Sequence, residues 1–141
     1  MRKPLLLASV LLVPAFLLAA DWPQWRGPDR DEISKETDIR TTFGDGGPKL
    51  LWTFEKAGNG YSGPAIVGNV LYSLGADEQE YAFAIDTETG EQLWRSNLGK
   101  TFQNGWGGGP RGTPTVMGER LYFIRGDGSV PVSYTHLRAH E

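Results

Sequence analysis

The sequence predicts an all-β chain assembled from repeated units of four short strands. Three observations carry this. Leu51-Trp52 recurs as Leu93-Trp94, and Gly63–Tyr72 aligns with Thr113–Tyr122, with Pro64 matching Pro114, Gly68 matching Gly118 and Tyr72 matching Tyr122 at one constant offset. Beyond Ala20 no segment keeps the apolar period of an amphipathic helix. Glycine, at 19 of 141 residues, punctuates short β-rich runs.

The stretch from Met1 to Ala20 reads as an export signal. Arg2 and Lys3 give a positive start, Leu5 to Leu18 is uncharged and interrupted only by Ser9 and Pro14, and Ala19-Ala20 supplies small residues for cleavage before Asp21. The apolar run is short for about 30 Å of hydrocarbon and carries a proline, which favours a cleaved signal over an anchor. No cysteine follows it for lipidation. The mature chain is expected to be exported, periplasmic or extracellular, with no membrane span after cleavage.

Residues 21–49 are expected to contribute a strand that closes a ring, with Trp22 and Trp25 in its core and, as an alternative, as a sugar-stacking platform. Residues 50–97 form the first complete unit. Pro64 to Val67 and Val70 to Leu74 are strands joined at Gly68-Asn69, a hairpin turn pair. Tyr81 to Ile85 alternates large apolar residues with alanine, Thr87-Glu88-Thr89-Gly90 turns the chain, and Gln92 to Ser96 is the fourth strand. Residues 98–130 carry an eight-residue insertion around Gly105–Gly112 and then start a second unit at Pro114 to Val116. A period of about 40 to 50 residues with four strands each is the mark of propeller blades.

The closing run, Val132 to Glu141, has the order encoded by a transposase sequencing adapter read in frame, and Pro131 fits the codon that the adapter's first bases complete. Residues 131–141 are therefore expected to be non-native, and 132–141 to have no defined packing. Both histidines of the chain, His136 and His140, fall in this tail, and their spacing would otherwise suggest zinc. Before the tail there is no histidine, and there are no cysteines at all. Imidazole bases, thiol nucleophiles and disulfides are thus excluded from residues 21–130. The net charge of −3 and pI near 5.4 argue against nucleic acid as a partner.

The most specific motif is Ala84-Ile85-Asp86-Thr87-Glu88-Thr89-Gly90-Glu91-Gln92-Leu93-Trp94. Asp86 is suited to accept bonds from turn amides, Gly90 to take positive φ, and Trp94 to cover a neighbouring unit. Ala84, Asp86, Thr89, Gly90 and Trp94 match every fixed position of A-x-D-x-x-T-G-x-x-x-W, the tryptophan-docking motif of the PQQ-type propeller repeat. With the opening Asp21-Trp22-Pro23-Gln24-Trp25-Arg26-Gly27-Pro28 and the later Gly109–Val116, residues 21 to 130 resemble exported PQQ-binding-like β-propeller proteins. The resemblance implies four-stranded blades around a channel, here about one and a half of them, too few to close a ring. That superfamily includes quinoprotein alcohol dehydrogenases and the propeller lipoprotein of outer-membrane β-barrel assembly.

Two roles follow from the resemblance. One is a binding or assembly scaffold with no catalytic residue and no metal or cofactor in this stretch. The alternative is a PQQ- and calcium-dependent oxidoreductase. The resemblance to the dehydrogenases lacks their adjacent cysteines, and Tyr61-Ser62-Gly63 stands where they place a glutamate. The loops leading into the two inner strands bring Tyr61 and Ser62, then Gln103, Asn104, Trp106 and Arg111, to one face as a candidate site for a protein partner or small ligand. Arg111 has the planar fork that suits carboxylate or phosphate; the plainer expectation is that it pairs with a nearby carboxylate. The glycine-rich loop lacks the Gly-Lys-Ser/Thr of a phosphate loop. Asp77, Glu78 and Glu80 match no calcium loop and are expected to be solvated.

Overall fold

A computed structural model describes residues 20–37 and 39–135. The export signal, but for Ala20, and the tail from His136 onward lie outside the described residues. Among the described residues there is no helix, and the strands form two antiparallel sheets. The first is a four-stranded meander of β1 (Ala65–Val67), β2 (Val70–Ala76), β3 (Gln79–Asp86) and β4 (Gln92–Lys100). The second has three strands, β5 (Thr115–Met117), β6 (Arg120–Tyr122) and β7 (Val132–Tyr134).

The hairpins β1–β2 and β5–β6 are copies. Ala65 pairs with Tyr72 and Val67 with Val70, and at the matching positions of the second unit Thr115 pairs with Tyr122 and Met117 with Arg120. Gly68 and Gly118 both stand at φ 56°, and Asn69 and Glu119 after them keep negative φ. Glycine at the first central position alone is the pattern of a two-residue II′ hairpin turn.

β3 is buried on both faces. Ala82 and Ala84 join Tyr72, Leu74 and Trp94 from the first sheet and Leu121 and Phe123 from the second unit. Tyr81, Phe83 and Ile85 face the other way, against Trp52, Phe54 and Leu71. The alternation of bulky residues with alanine has a packing reason. Ala84 pairs in register with Trp94, whose ring lies in the core with 4% of its surface exposed. Trp94 thus sits between the two units, as the motif predicts.

The Asp86–Gly90 turn is closed by bonds among its own residues. One oxygen of Asp86 accepts the amides of Glu88 and Thr89, both at 2.9 Å, and the Thr89 hydroxyl at 3.2 Å. Gly90 has φ 76° and donates to the Asp86 carbonyl at 2.8 Å. A Cβ on Gly90 would lie 2.6 Å from the Trp52 ring, so the turn needs glycine for space as well as for conformation. The Trp52 indole N–H donates to the Thr87 carbonyl at 2.9 Å.

Two of these contacts recur one unit later, without the aspartate, since Tyr134 stands where Asp86 does. Thr87 donates its amide to the Asn69 carbonyl and Thr135 donates to that of Glu119, each at 2.9 Å. The Trp94 indole N–H reaches the Thr135 carbonyl at 3.4 Å. The expectation that residues 132–141 lack defined packing is thereby corrected for 132–135. β7 pairs with β6 through Arg120–Tyr134 and Tyr122–Val132. The reason is the free edge of β6, whose unpaired backbone groups accept any extended chain that reaches them. Ser133 is buried, while the Tyr134 ring stays half-exposed and outside the shared core.

A second correction concerns Glu80, expected in solvent and found with none of its surface exposed. Its Oε1 accepts the Phe102 amide at 3.1 Å, and its Oε2 accepts the Gly126 amide at 3.2 Å. Arg125 Nε lies 3.3 Å from Oε2 as an ion pair, without hydrogen-bond alignment. Asp77 and Glu78 are exposed, and Asp77 pairs with Arg95 at 2.7 Å.

These contacts order the cost of substitutions. Trp94→Ala is expected to lose about 3–5 kcal/mol, as for a buried large aromatic. Glu80→Ala, which leaves the Phe102 and Gly126 amides without their acceptor and takes from Arg125 one of its two carboxylates, is expected to lose a comparable amount, about 3–5 kcal/mol. Glu78→Ala should stay within about 0.5 kcal/mol. Urea unfolding of the three variants checks the order. Hydrogen bonds from the Thr89 and Glu88 amides hold the Asp86 carboxyl below its ordinary value. A lowered carboxyl contributes stability above its unfolded value, near 3.9, that is lost as pH falls through the folded one. The acid limb of the stability-against-pH curve is therefore expected to be shallower in Asp86→Asn.

Candidate ligand-binding cleft

The N-terminal segment runs along edge strands β1 and β5 of the two sheets. Trp22 exchanges two backbone bonds with Ile66 of β1, at 2.7 and 2.9 Å, and Val116 of β5 donates to the Pro23 carbonyl at 2.8 Å. The chain then folds back in a tight turn, where Arg26, Arg30 and Glu32 all have positive φ. Gly27 closes against the Trp22 ring; a Cβ there would lie 2.8 Å from it. Trp22 is half-buried, but Trp25, expected in a core, is 62% exposed.

Between this turn and the segments entering β1 and β5 lies an open cleft of about 660 Å³. Its walls include Trp25, Arg30, Tyr61, Arg111, Thr113 and Thr115. Arg111 is held over the Tyr61 ring, with the guanidinium carbon 4.7 Å from the ring centre. It donates to the Gly107 carbonyl at 2.7 Å, and at 3.4 Å to the Trp106 carbonyl and the Asn104 side chain. Arg111 therefore gathers the glycine-rich loop by its backbone oxygens. The expected carboxylate partner is absent among the described residues. The loop curls back on itself at Gly107, where its carbonyls come closer than any acidic side chain.

Of the six residues singled out from the sequence, Tyr61 and Arg111 line this cleft, and Asn104 supports Arg111. Ser62 turns inward and donates to the Gly112 carbonyl at 2.5 Å, tying the two inner loops together. Gln103 folds over Gly108 and borders a second, smaller cleft of about 390 Å³ on the other side of Tyr61. Trp106 contributes its carbonyl, and its ring is 86% exposed, away from both clefts. Gln24 and Arg30 join the cleft without having been singled out. Arg30 donates through Nε and Nη2 to Gln24 Oε1 at 3.2 and 3.1 Å, and Gln24 donates to the Pro28 carbonyl at 3.1 Å. Nothing local in the sequence tells that the turn after Pro28 brings Arg30 to the same cleft as Arg111.

The polar side chains of the cleft are guanidinium, amide and hydroxyl, and no carboxylate or imidazole lines it. Among the described residues there is no cluster of three or more metal-ligating side chains, and no helix is long and apolar enough to cross a membrane.

The Arg111 contacts predict a local effect. Arg111→Ala is expected to release the Asn104–Gly109 loop, so that chymotrypsin cuts after Trp106 several-fold faster, while the unfolding midpoint moves by about 0.5 kcal/mol or less. Timed proteolysis followed by mass spectrometry measures this. Comparison of the chain with protein-family models, with curated proteins and with solved structures returns no match.

Proposed function

We propose that this chain is part of an exported β-propeller of PQQ-like repeats that serves as a binding or assembly scaffold. The observation that carries the reading is the burial of Trp94 between its own sheet and Leu121 and Phe123 of the second unit. Within the first unit Trp52 closes on the Asp86 turn through the Thr87 carbonyl. A unit whose tryptophan finds its partner only in its neighbour propagates along the chain, and radial repetition leaves it only short, protected edges. The A-x-D-x-x-T-G-x-x-x-W match at Ala84–Trp94 supports the same reading, and the apolar start before Asp21 supports export. The cleft beside β1 and β5 would then open at the channel mouth, where a protein partner or small ligand meets Tyr61 and Arg111.

The scaffold reading is favoured over a PQQ-dependent dehydrogenase by the chemistry of the residues present. Calcium takes six to eight oxygens, several from carboxylates. The cleft is walled by two guanidiniums and no carboxylate. The adjacent cysteines that cover a quinone in the dehydrogenases have no counterpart here. These residues do not fit the quinone and its calcium.

The test is the longer reading frame that carries residues 21–130, with the last ten codons removed. It is expected to hold further copies of the docking motif at about 40 to 50 residues' spacing, to yield a secreted product beginning at Asp21 by mass spectrometry, and to reduce no dye with PQQ, calcium and a primary alcohol. A frame without further copies overturns the propeller. Quinone-dependent dye reduction overturns the scaffold.

A further inference from the structure

We propose that the cleft between the N-terminal turn and strands β1 and β5 binds an anionic saccharide, a sugar unit bearing a carboxylate or sulfate. Arg30 and Arg111 meet the charge, and Trp25 and Tyr61 meet the ring. This deepens the scaffold reading and rests on it for the class of function, but the site stands on its own geometry.

Charge is the first observation. The chain has more acidic than basic residues and a net charge of −3. Arg26, Arg95 and Arg125 are each paired with carboxylates. Among the described residues the two arginines of the cleft have no such pair, and no acidic residue lines it. In an acid-rich chain, two guanidiniums facing one open volume without a carboxylate mark a place where the missing anion comes from outside.

Both guanidiniums are also held in position. Arg30 has φ 60°, a left-handed conformation that a non-glycine residue adopts at some cost, and such strain gathers at ligand sites. Its Nε and Nη2 are anchored on Gln24, and Nη1 has no partner among the described residues. Arg111 is anchored through Nη2 alone, which leaves Nη1 and Nε. A fork fixed at one end loses less freedom when its other donors engage an oxyanion.

The rings and hydroxyls narrow the class. Trp25 and Tyr61, 62% and 61% exposed, stand on the same cleft; Arg26 and Arg111 lie over one face of each, at 5.2 and 4.7 Å, and the remaining exposed ring surface suits the C–H surface of a pyranose. Thr113, Thr115 and Gln24 add small donors and acceptors of the kind that match sugar hydroxyls. A nucleic acid is disfavoured by the overall negative charge, which would repel a polyphosphate. One charged ring at a time meets no such barrier.

The experiment titrates the full chain, its fold checked by the near-ultraviolet circular dichroism of its tryptophans, with trigalacturonate, a sulfated galactose disaccharide, uncharged galactotriose and inorganic sulfate, read by tryptophan fluorescence and calorimetry. The charged sugars are expected to bind about tenfold or more tighter than galactotriose and than inorganic sulfate. R30Q and R111Q are each expected to weaken them about tenfold with the thermal midpoint kept. R30K, which keeps the charge but loses the fork, should fall between, and W25A should weaken charged and neutral sugars alike. The proposal is overturned if galactotriose binds as well as trigalacturonate, if sulfate alone competes equally, if no charged sugar binds, if R30Q changes nothing, or if the chain shows no folded signal. Failure of the sugars in a chain whose reading frame carries further repeats overturns the ligand alone. A frame without repeats overturns the scaffold and leaves the titrations standing.

Discussion

The buried carboxylate of Glu80 constrains more of this molecule than any other single group. A carboxyl side chain with no exposed surface has to be satisfied by protein groups, because the interior leaves it no water. Here the partners come from two distant stretches. The Phe102 amide opens the glycine-rich loop, and the Gly126 amide and Arg125 follow β6. Arg125 in turn donates to the Lys100 carbonyl at 3.0 Å and pairs with Asp127 at 2.9 Å. A Cβ on Gly126 would lie 2.6 Å from Glu80 Oε1, so the approach depends on a bare backbone there. The start of the loop, the end of β4 and the turn after β6 are thus tied to one atom group, and the second unit is oriented on the first through it.

With that orientation set, the tryptophan dock becomes possible. Trp94 leaves β4 opposite Ala84, which is small enough to let the ring lie over β3 and meet Leu121 and Phe123. The ring's apolar area covers the joint, and its one polar atom finds a carbonyl on the far side. Trp52 does the same to the Asp86 turn from the opposite face. A unit in this chain is therefore incomplete alone. Its outer tryptophan belongs energetically to its neighbour, which is the general logic of repeat proteins. The pairing of β7 onto β6 shows how strong the demand for a third strand is. A tail whose order matches an adapter still takes up the register in which Asp86 meets Val70 in the first unit, with Tyr134 opposite Arg120.

The cleft is a consequence of the same joint. β1 and β5 are edge strands of the two sheets, and the backbone of Trp22 and Pro23 bridges them. Ser62 ties the loop before β1 to the loop before β5. Arg111 gathers the carbonyls of its own loop and stacks on Tyr61. The walls are held from three separate stretches of chain, so the guanidiniums and rings keep their spacing without a helix or a disulfide to hold them.

The sequence by itself determined the local structure. The Gly68-Asn69 turn, the alternation through Tyr81–Ile85 and the Asp86–Gly90 turn are decided by dihedral preference, strand period and side-chain-to-amide bonds within a few residues. The inner-loop residues Tyr61 and Arg111 were legible for a similar reason, since the internal repeat puts both just ahead of equivalent strands. Tertiary structure alone decided which strand faces were covered, and by what. Glu80 sits two positions before Ala82 in strict alternation, so its direction was readable. That a distant backbone would close over that face was not, because a charge reads as solvated until partners 22 and 46 residues away arrive. Arg111's choice of carbonyls over a carboxylate, Trp25's exposure and Arg30's arrival at the cleft share this cause. Each depends on the path of a loop through space, and no short-range preference in the chain encodes such a path.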